Sequence, residues 1–152
     1  MKKLQLLTSA LVVLVLTAAV FAQQETTVVR SAKAKQMLLG RHKLSLQWIS
    51  WTDLGTASIK DRDGVLHLNG RQDRRRSSDY LTVDGIITSV DDKQFTFKGK
   101  VITQIAGING GDPCTRDGVF TFRITGKRKY WRMQEIDNPC DEAADYVDIY
   151  FR

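Results

Sequence analysis

The sequence predicts an all-β chain: an antiparallel meander of about eight strands that closes into a small barrel. A sandwich of two packed sheets is the alternative arrangement of the same strands. Three observations lead there. Apolar and polar residues alternate along segment after segment, the period of a strand with one buried face. Turn signals built on Gly, Asp, Asn and Pro recur at short spacing. Between the apolar segments there are no helical stretches long enough for parallel crossovers, so neighbouring strands run antiparallel and a meander is the simplest path.

Residues 1–22 stand apart from that pattern. Lys2 and Lys3 precede the apolar run Leu11-Val12-Val13-Leu14-Val15-Leu16, and Val20-Phe21-Ala22 places small residues just before Gln23. This is the layout of a secretory signal peptide, with an uncleaved N-terminal anchor as the competing reading. Its removal leaves 130 of the 152 residues and takes away two lysines and no acid, so the formal net charge falls from +6 to +4. The expected location is the periplasm or the medium outside a bacterial cell. After the signal, residues 23–42 form an N-terminal tail and residues 43–152 a single β domain. Within the tail, Ser31 can cap a short helix reaching Leu39, with Gly40 as its stop. A linker is the other reading, because so short a helix is marginal alone.

From Lys43 onward the chain reads as β. Leu44, Leu46 and Trp48 alternate with Ser45 and Gln47. A turn at Asp53-Leu54-Gly55 leads to Ala57 and Ile59. Asp61-Arg62-Asp63-Gly64 is a tight turn, and Leu66 and Leu68 follow on one face. Asn69 through Ser78 is the most polar loop. Tyr80 to Val90 is apolar, with Asp84-Gly85 read as a turn or bulge inside it. Beyond the turn at Asp91-Asp92-Lys93, Phe95, Phe97, Gly99, Val101, Thr103 and Ile105 share one parity in a long strand, with Gly99 marking a bend. A glycine-rich loop, Gly107 to Pro113, leads to the stretch around which the chain is organised.

That stretch, Cys114 to Cys140, reads as one long hairpin. It has an opening turn at Cys114–Gly118, a rising arm at Val119–Thr125, a reversal at Gly126-Lys127-Arg128 and a return arm at Lys129–Ile136. Phe120, Phe122 and Ile124 share a face, as do Trp131 and Met133. Pairing the two arms brings Cys114 and Cys140 together, and in an exported chain they form a disulfide rather than remain free thiols. The last strand, Asp145 to Phe151, points Val147, Ile149 and Phe151 inward.

Few residues invite chemistry. His42 and His67 have no metal-spaced partner. Asp61-x-Asp63-Gly64 begins like a calcium loop but lacks the glutamate at its twelfth position. The acids Asp137, Asp141, Glu142, Asp145 and Asp148 fit no calcium loop and can simply balance the basic hairpin. There is no nucleophile elbow, zinc-protease helix or phosphate loop. The chain is therefore read as a non-enzyme without cofactor or metal. Arg74, Arg75 and Arg76, in a basic loop that starts at Arg71, are candidates for gripping an anion through guanidinium forks, against ordinary solvation of a charged loop. Trp48, Trp51 and Trp131 are candidates for lining a ligand cavity, against the commoner role of large aromatics in a core. No aromatic interleaving supports base stacking, so nucleic acid is not an expected partner. No stretch after the signal is apolar enough to cross a membrane as a helix.

The run Gly126-Lys127-Arg128-Lys129-Tyr130-Trp131-Arg132-Met133-Gln134-Glu135, followed by Asp137-Asn138-Pro139-Cys140-Asp141 and Tyr146-Val147-Asp148-Ile149-Tyr150-Phe151, resembles a group of exported bacterial proteins with no assigned activity. The resemblance reaches back to Leu46-Gln47-Trp48. It implies a bacterial envelope location and no binding residues. The architecture is also similar to that of lipocalins, although Leu46-Gln47 stands where their Gly-x-Trp signature would precede Trp48. The function expected from all this is a non-catalytic binding module for a small apolar or anionic ligand. The alternatives are a structural or interaction protein with a filled core, working through its surface, and a small outer-membrane barrel.

Overall fold

The computed structural model describes residues 26–152, so the signal-peptide reading of residues 1–22 lies outside the described residues. Nine strands form one sheet: β1 (Val28–Val29), β2 (Gly40–Leu46), β3 (Gly55–Arg62), β4 (Val65–Asp73), β5 (Tyr80–Val90), β6 (Gln94–Gln104), β7 (Cys114–Arg123), β8 (Tyr130–Met133) and β9 (Val147–Tyr150). Strands β2 to β9 each pair antiparallel with the next. β9 then pairs back onto β2 through Leu44–Ile149, Ser45–Asp148 and Leu46–Val147, which closes an eight-stranded barrel. Closure leaves no free edge in the meander. The extra strand β1 adds in parallel to the far end of β5, opposite Ser89 and Val90.

The short helix is present. α1 (Ala32–Leu38) is capped by the Ser31 side chain, which accepts a hydrogen bond from the Ala34 N–H at 3.2 Å. Seven residues do not hold a helix in water; α1 is held because Ala34 and Leu38 dock into the barrel core. An ion pair of 2.6 Å from Lys35 to Asp61 ties it to the end of β3. It therefore covers the end of the barrel where β2 begins and β3 ends.

Inward parity follows the apolar pattern strand by strand. Leu44, Leu46, Ala57, Ile59, Leu66, Leu68, Leu81, Val83, Ile87, Phe95, Phe97, Val101, Phe120, Phe122, Trp131, Met133, Val147 and Ile149 all belong to one buried cluster. Phe95 stacks on Phe122 with ring centroids 4.9 Å apart, and Trp131 meets Phe151 edge-on at 4.5 Å. These side chains form one apolar cluster inside the barrel. Two inward glycines shape the wall. Gly85 faces Gly99 across β5–β6, and Gly99 faces Gly118 across β6–β7. A Cβ on Gly85 would collide with the Lys98 carbonyl oxygen, one on Gly99 with that of Asp84, and the Phe97 ring lies over both sites. Glycine is needed there because two strands and an aromatic ring converge on one spot.

Several local expectations are corrected. The stretch from Cys114 is not one long hairpin. Cys114–Gly118 is strand, not a turn, and belongs to β7, which pairs along its whole length with β6. β8 is short and pairs with β7 only at Phe122–Met133 and Arg123–Arg132 before the chain leaves the sheet. Asp84-Gly85 is no turn but the middle of β5, and the irregularity in that strand falls between Ile87 and Ser89. The first barrel strand starts at Gly40 and stops at Leu46, so Trp48 lies in the following loop instead of pointing inward. Val28 and Val29, expected in a tail, are strand because β5 outruns β4 and offers free backbone groups.

Candidate functional site

The end of the barrel opposite α1 is built from four loops, residues 47–54, 74–79, 105–113 and 134–146. Between them lies an open cleft of about 750 Å³, in the size range of small-molecule sites. Trp48 and Tyr146 present aromatic surface to it, Ile105, Ala106 and Ile108 form an apolar side, and Arg74, Asp141 and Glu142 supply charge.

Each wall is fixed by buried polar side chains. Gln72, on β4, points inward at the rim, and its Oε1 accepts from the Leu46 N–H at 2.7 Å. Its Nε2 donates to the carbonyls of Ser50 at 3.3 Å and Asp53 at 3.0 Å, so one amide folds the loop that carries Trp48. The Trp48 indole N–H donates to the Ala144 carbonyl at 3.1 Å, and Gln47 Oε1 accepts from the Tyr146 N–H at 2.8 Å. These bonds lace the first loop to the last.

Asp79 performs the same service on the other side. Its carboxylate accepts from Arg74 Nη1 at 3.0 Å and from the Ala106 N–H at 2.9 Å. Burial pushes this carboxyl up, but the Ala106 N–H, Arg74 and Ser77 together hold it below the usual range.

Beneath the last loop lies a buried ion pair. Arg116 points inward from β7, donates to the Glu135 carbonyl at 2.9 Å and reaches Asp145 Oδ2 at 3.2 Å. Asn138 Nδ2 donates to the same oxygen at 3.1 Å. Asp145 is 1% exposed, and its second oxygen, Oδ1, has no hydrogen-bond partner. Burial pushes the Asp145 carboxyl up by more than Arg116, Trp48 and Asn138 pull it down, and burial likewise lowers Arg116. Both shifts run against the charged forms, as expected where desolvation exceeds attraction. The Cys114–Cys140 disulfide, joining residues 26 apart, anchors this loop to β7.

The candidate residues read from the sequence separate clearly. Trp48 and Arg74 come together in the cleft. Trp48 is 40% exposed and Trp51 57%, whereas Trp131 is 2% exposed and sits in the core. Arg75 points away and pairs with Asp53 at 3.1 Å, and Arg76 occupies an exposed turn at φ 57°. Sequence reasoning did not single out Gln72, Asp79, Arg116 or Tyr146. The one signal for Arg116 was its inward parity in β7, two residues after Cys114 and two before Gly118.

Among the described residues no group of three or more His, Cys, Asp or Glu side chains is placed to hold a metal. Residues 26–151 match the PM1083 family. The chain belongs to the PM1083 family. It is similar to the uncharacterised protein PM1083 of Pasteurella multocida strain Pm70, with 42% identity over 156 aligned residues covering 99% of this chain and all of that protein. No solved structure matches the chain. The PM1083-family match spans the barrel, α1 and the four cleft loops together.

Proposed function

We propose that this PM1083-family chain is an exported, non-catalytic binding module whose ligand seat is the cleft at the barrel mouth. The observation that carries this reading is the pairing of an aromatic and aliphatic wall, Trp48, Tyr146, Ile105 and Ile108, with the half-exposed guanidinium of Arg74. That combination suits a small ligand with an apolar body and an anionic group. The buried aromatic and aliphatic cluster inside the barrel, with Trp131 at 2% exposure, argues against a ligand held there in the lipocalin manner. Export is supported by the disulfide, which persists in oxidising compartments.

The alternatives fare less well on particular residues. Working through the arginine loop is weakened because Arg71, Arg74 and Arg75 pair with Asp73, Asp79 and Asp53. An outer-membrane barrel carries apolar residues outside and polar ones inside. Here Arg41, Lys43, Lys60, Lys98 and Lys100 are exposed on the outer face while leucine and phenylalanine line the inside.

Native mass spectrometry of protein purified from its host should reveal a retained small molecule. Trp48→Ala and Tyr146→Ala should each lose it while remaining folded. Absence of any bound molecule in that sample and in a fragment screen, or binding indifferent to both substitutions, would overturn the reading.

A further inference from the structure

On the barrel wall, β2 meets the last residues of the chain along a short seam. The ladder between β2 and β9 ends at Leu44–Ile149; Arg41, His42 and Lys43 pair with β3 but not with β9, and the His42 ring bridges to the Tyr150 carbonyl at 2.9 Å. A dent of about 330 Å³ occupies this seam, lined by Arg41, His42, Lys43, Thr56, Phe151 and Arg152. Three of the six lining residues have cationic side chains and none has an acidic one. β2 alternation sends Arg41 and Lys43 to the outer face, and the β2–β3 register sets Thr56 directly beside Lys43.

The third cation is held in place. The Arg152 guanidinium donates from Nη2 to the Gln36 carbonyl at 3.2 Å. Its Nη1 lies over Gly40, where a Cβ would approach it to 3.0 Å, and Gly40 has φ +111°. The missing side chain at Gly40 thus makes the seat for this guanidinium. Like-charged side chains that share one dent repel each other, and a bound anion relieves that repulsion.

The surrounding acids are already occupied. Asp148, opposite Ser45 on the neighbouring strand, is fully buried and holds Arg132 through both oxygens at 2.7 Å. Asp61 is bound to Lys35. Among the described residues, none of the ion pairs includes Arg41, Lys43 or Arg152. Arg71, Arg74 and Arg75 are each paired with an acid, whereas the cations of this dent are not.

We infer that the seam is a phosphate-binding seat, with the Arg41 and Arg152 guanidiniums and the Lys43 ammonium gripping the oxygens and the Thr56 hydroxyl donating a further bond. Tetrahedral oxyanions match this set because guanidinium forks and a hydroxyl donor address separate oxygens. The phosphate belongs either to a free phosphorylated compound or to a lipid headgroup at a membrane surface. The seat shares no lining residue with the mouth cleft.

The test has two arms on the purified protein. Inorganic phosphate is titrated while backbone amides are followed by NMR, and flotation is measured with vesicles of phosphatidylglycerol or of phosphatidylcholine. Expected is saturable movement of the Arg41, Lys43 and Thr56 amides, with affinity at least about tenfold weaker in Arg41→Gln/Lys43→Gln/Arg152→Gln. Lys93→Gln/Lys98→Gln/Lys127→Gln removes the same charge elsewhere and should bind like the parent. Response to phosphate alone assigns a soluble phosphorylated compound. Flotation with phosphatidylglycerol vesicles alone, lost in the seam variant, assigns a headgroup. No response in either arm, or equal loss in both triple variants, overturns the seat.

Discussion

Replacing Arg116 with methionine removes the cation beneath the last loop while keeping the stem that packs there. It leaves the Asp145 carboxylate buried, with Oδ1 already unpartnered and Oδ2 held only by Asn138. It also strips the Glu135 carbonyl of its 2.9 Å donor. Breaking a buried pair from one side costs about 3–5 kcal/mol. For a domain of this size that lowers Tm by roughly 12–20 °C. The pH dependence carries a definite sign. The folded-state carboxyl of Asp145 already lies above its ordinary value, and loss of Arg116 raises it further. A group raised in the folded state favours folding when protonated and loses that contribution as pH rises through its folded value. The deficit of Arg116→Met should therefore be largest at neutral pH and shrink on acidification towards the ordinary carboxylate range. Arg116→Met/Asp145→Leu should recover most of the loss, since desolvation exceeds attraction in this pair. Urea unfolding followed by near-ultraviolet circular dichroism between pH 4 and pH 7 (about the range in which carboxyls raised by burial titrate) measures all of this. A loss under about 1 kcal/mol, the level of a surface pair, or a deficit that grows in acid would refute the reasoning.

Other consequences follow from the same contacts. Cys114→Ala/Cys140→Ala frees a loop of sequence separation 26 and should cost about 3.5 kcal/mol in denaturant titration, a value worked from chain entropy. Asp79→Asn removes a carboxylate held below its usual range; such a group stabilises above its ordinary value and ceases to as pH falls through its folded one. The gap between parent and variant, about 1.5–3 kcal/mol at neutral pH for bonds to a charged group, should close in acid. Gly85→Ala drives a methyl into the Lys98 carbonyl and the Phe97 ring and should destabilise by about 2–3 kcal/mol in thermal melts, whereas Gly118→Ala, with open space at its Cβ, should cost less.

Much of the barrel was legible in the sequence because its information is local. Period-2 parity placed Phe95, Phe97, Phe120, Phe122, Trp131 and Met133 inside, Asp63-Gly64 marked a tight turn, and Ser31 marked the helix start. The cysteine pair was legible because the two cysteines flank a segment expected to fold back on itself. Lateral pairing was not. Whether β7 lies chiefly against β6 or against β8 depends on barrel closure, which no window of residues encodes, so the hairpin appeared longer than it is. Gly85 resembled a turn because a glycine required by crowding and one required by a positive φ look alike in one dimension. The cleft was half legible: an exposed tryptophan and an arginine-rich loop drew notice. The residues that shape it, Gln72, Asp79 and Arg116, act across 19 to 29 positions of sequence, and strand parity alone does not reveal those partners.

The three tryptophans give the most direct test, because Trp48 lies at the mouth, Trp51 beside it in solvent and Trp131 in the filled core. The measurement is the indole N–H NMR spectrum of the chain as ligand extracted from its host is added back. Movement of the Trp48 signal with Trp131 unmoved is the predicted result. Movement of Trp131 while Trp48 stays fixed would place the ligand inside the barrel and contradict the account.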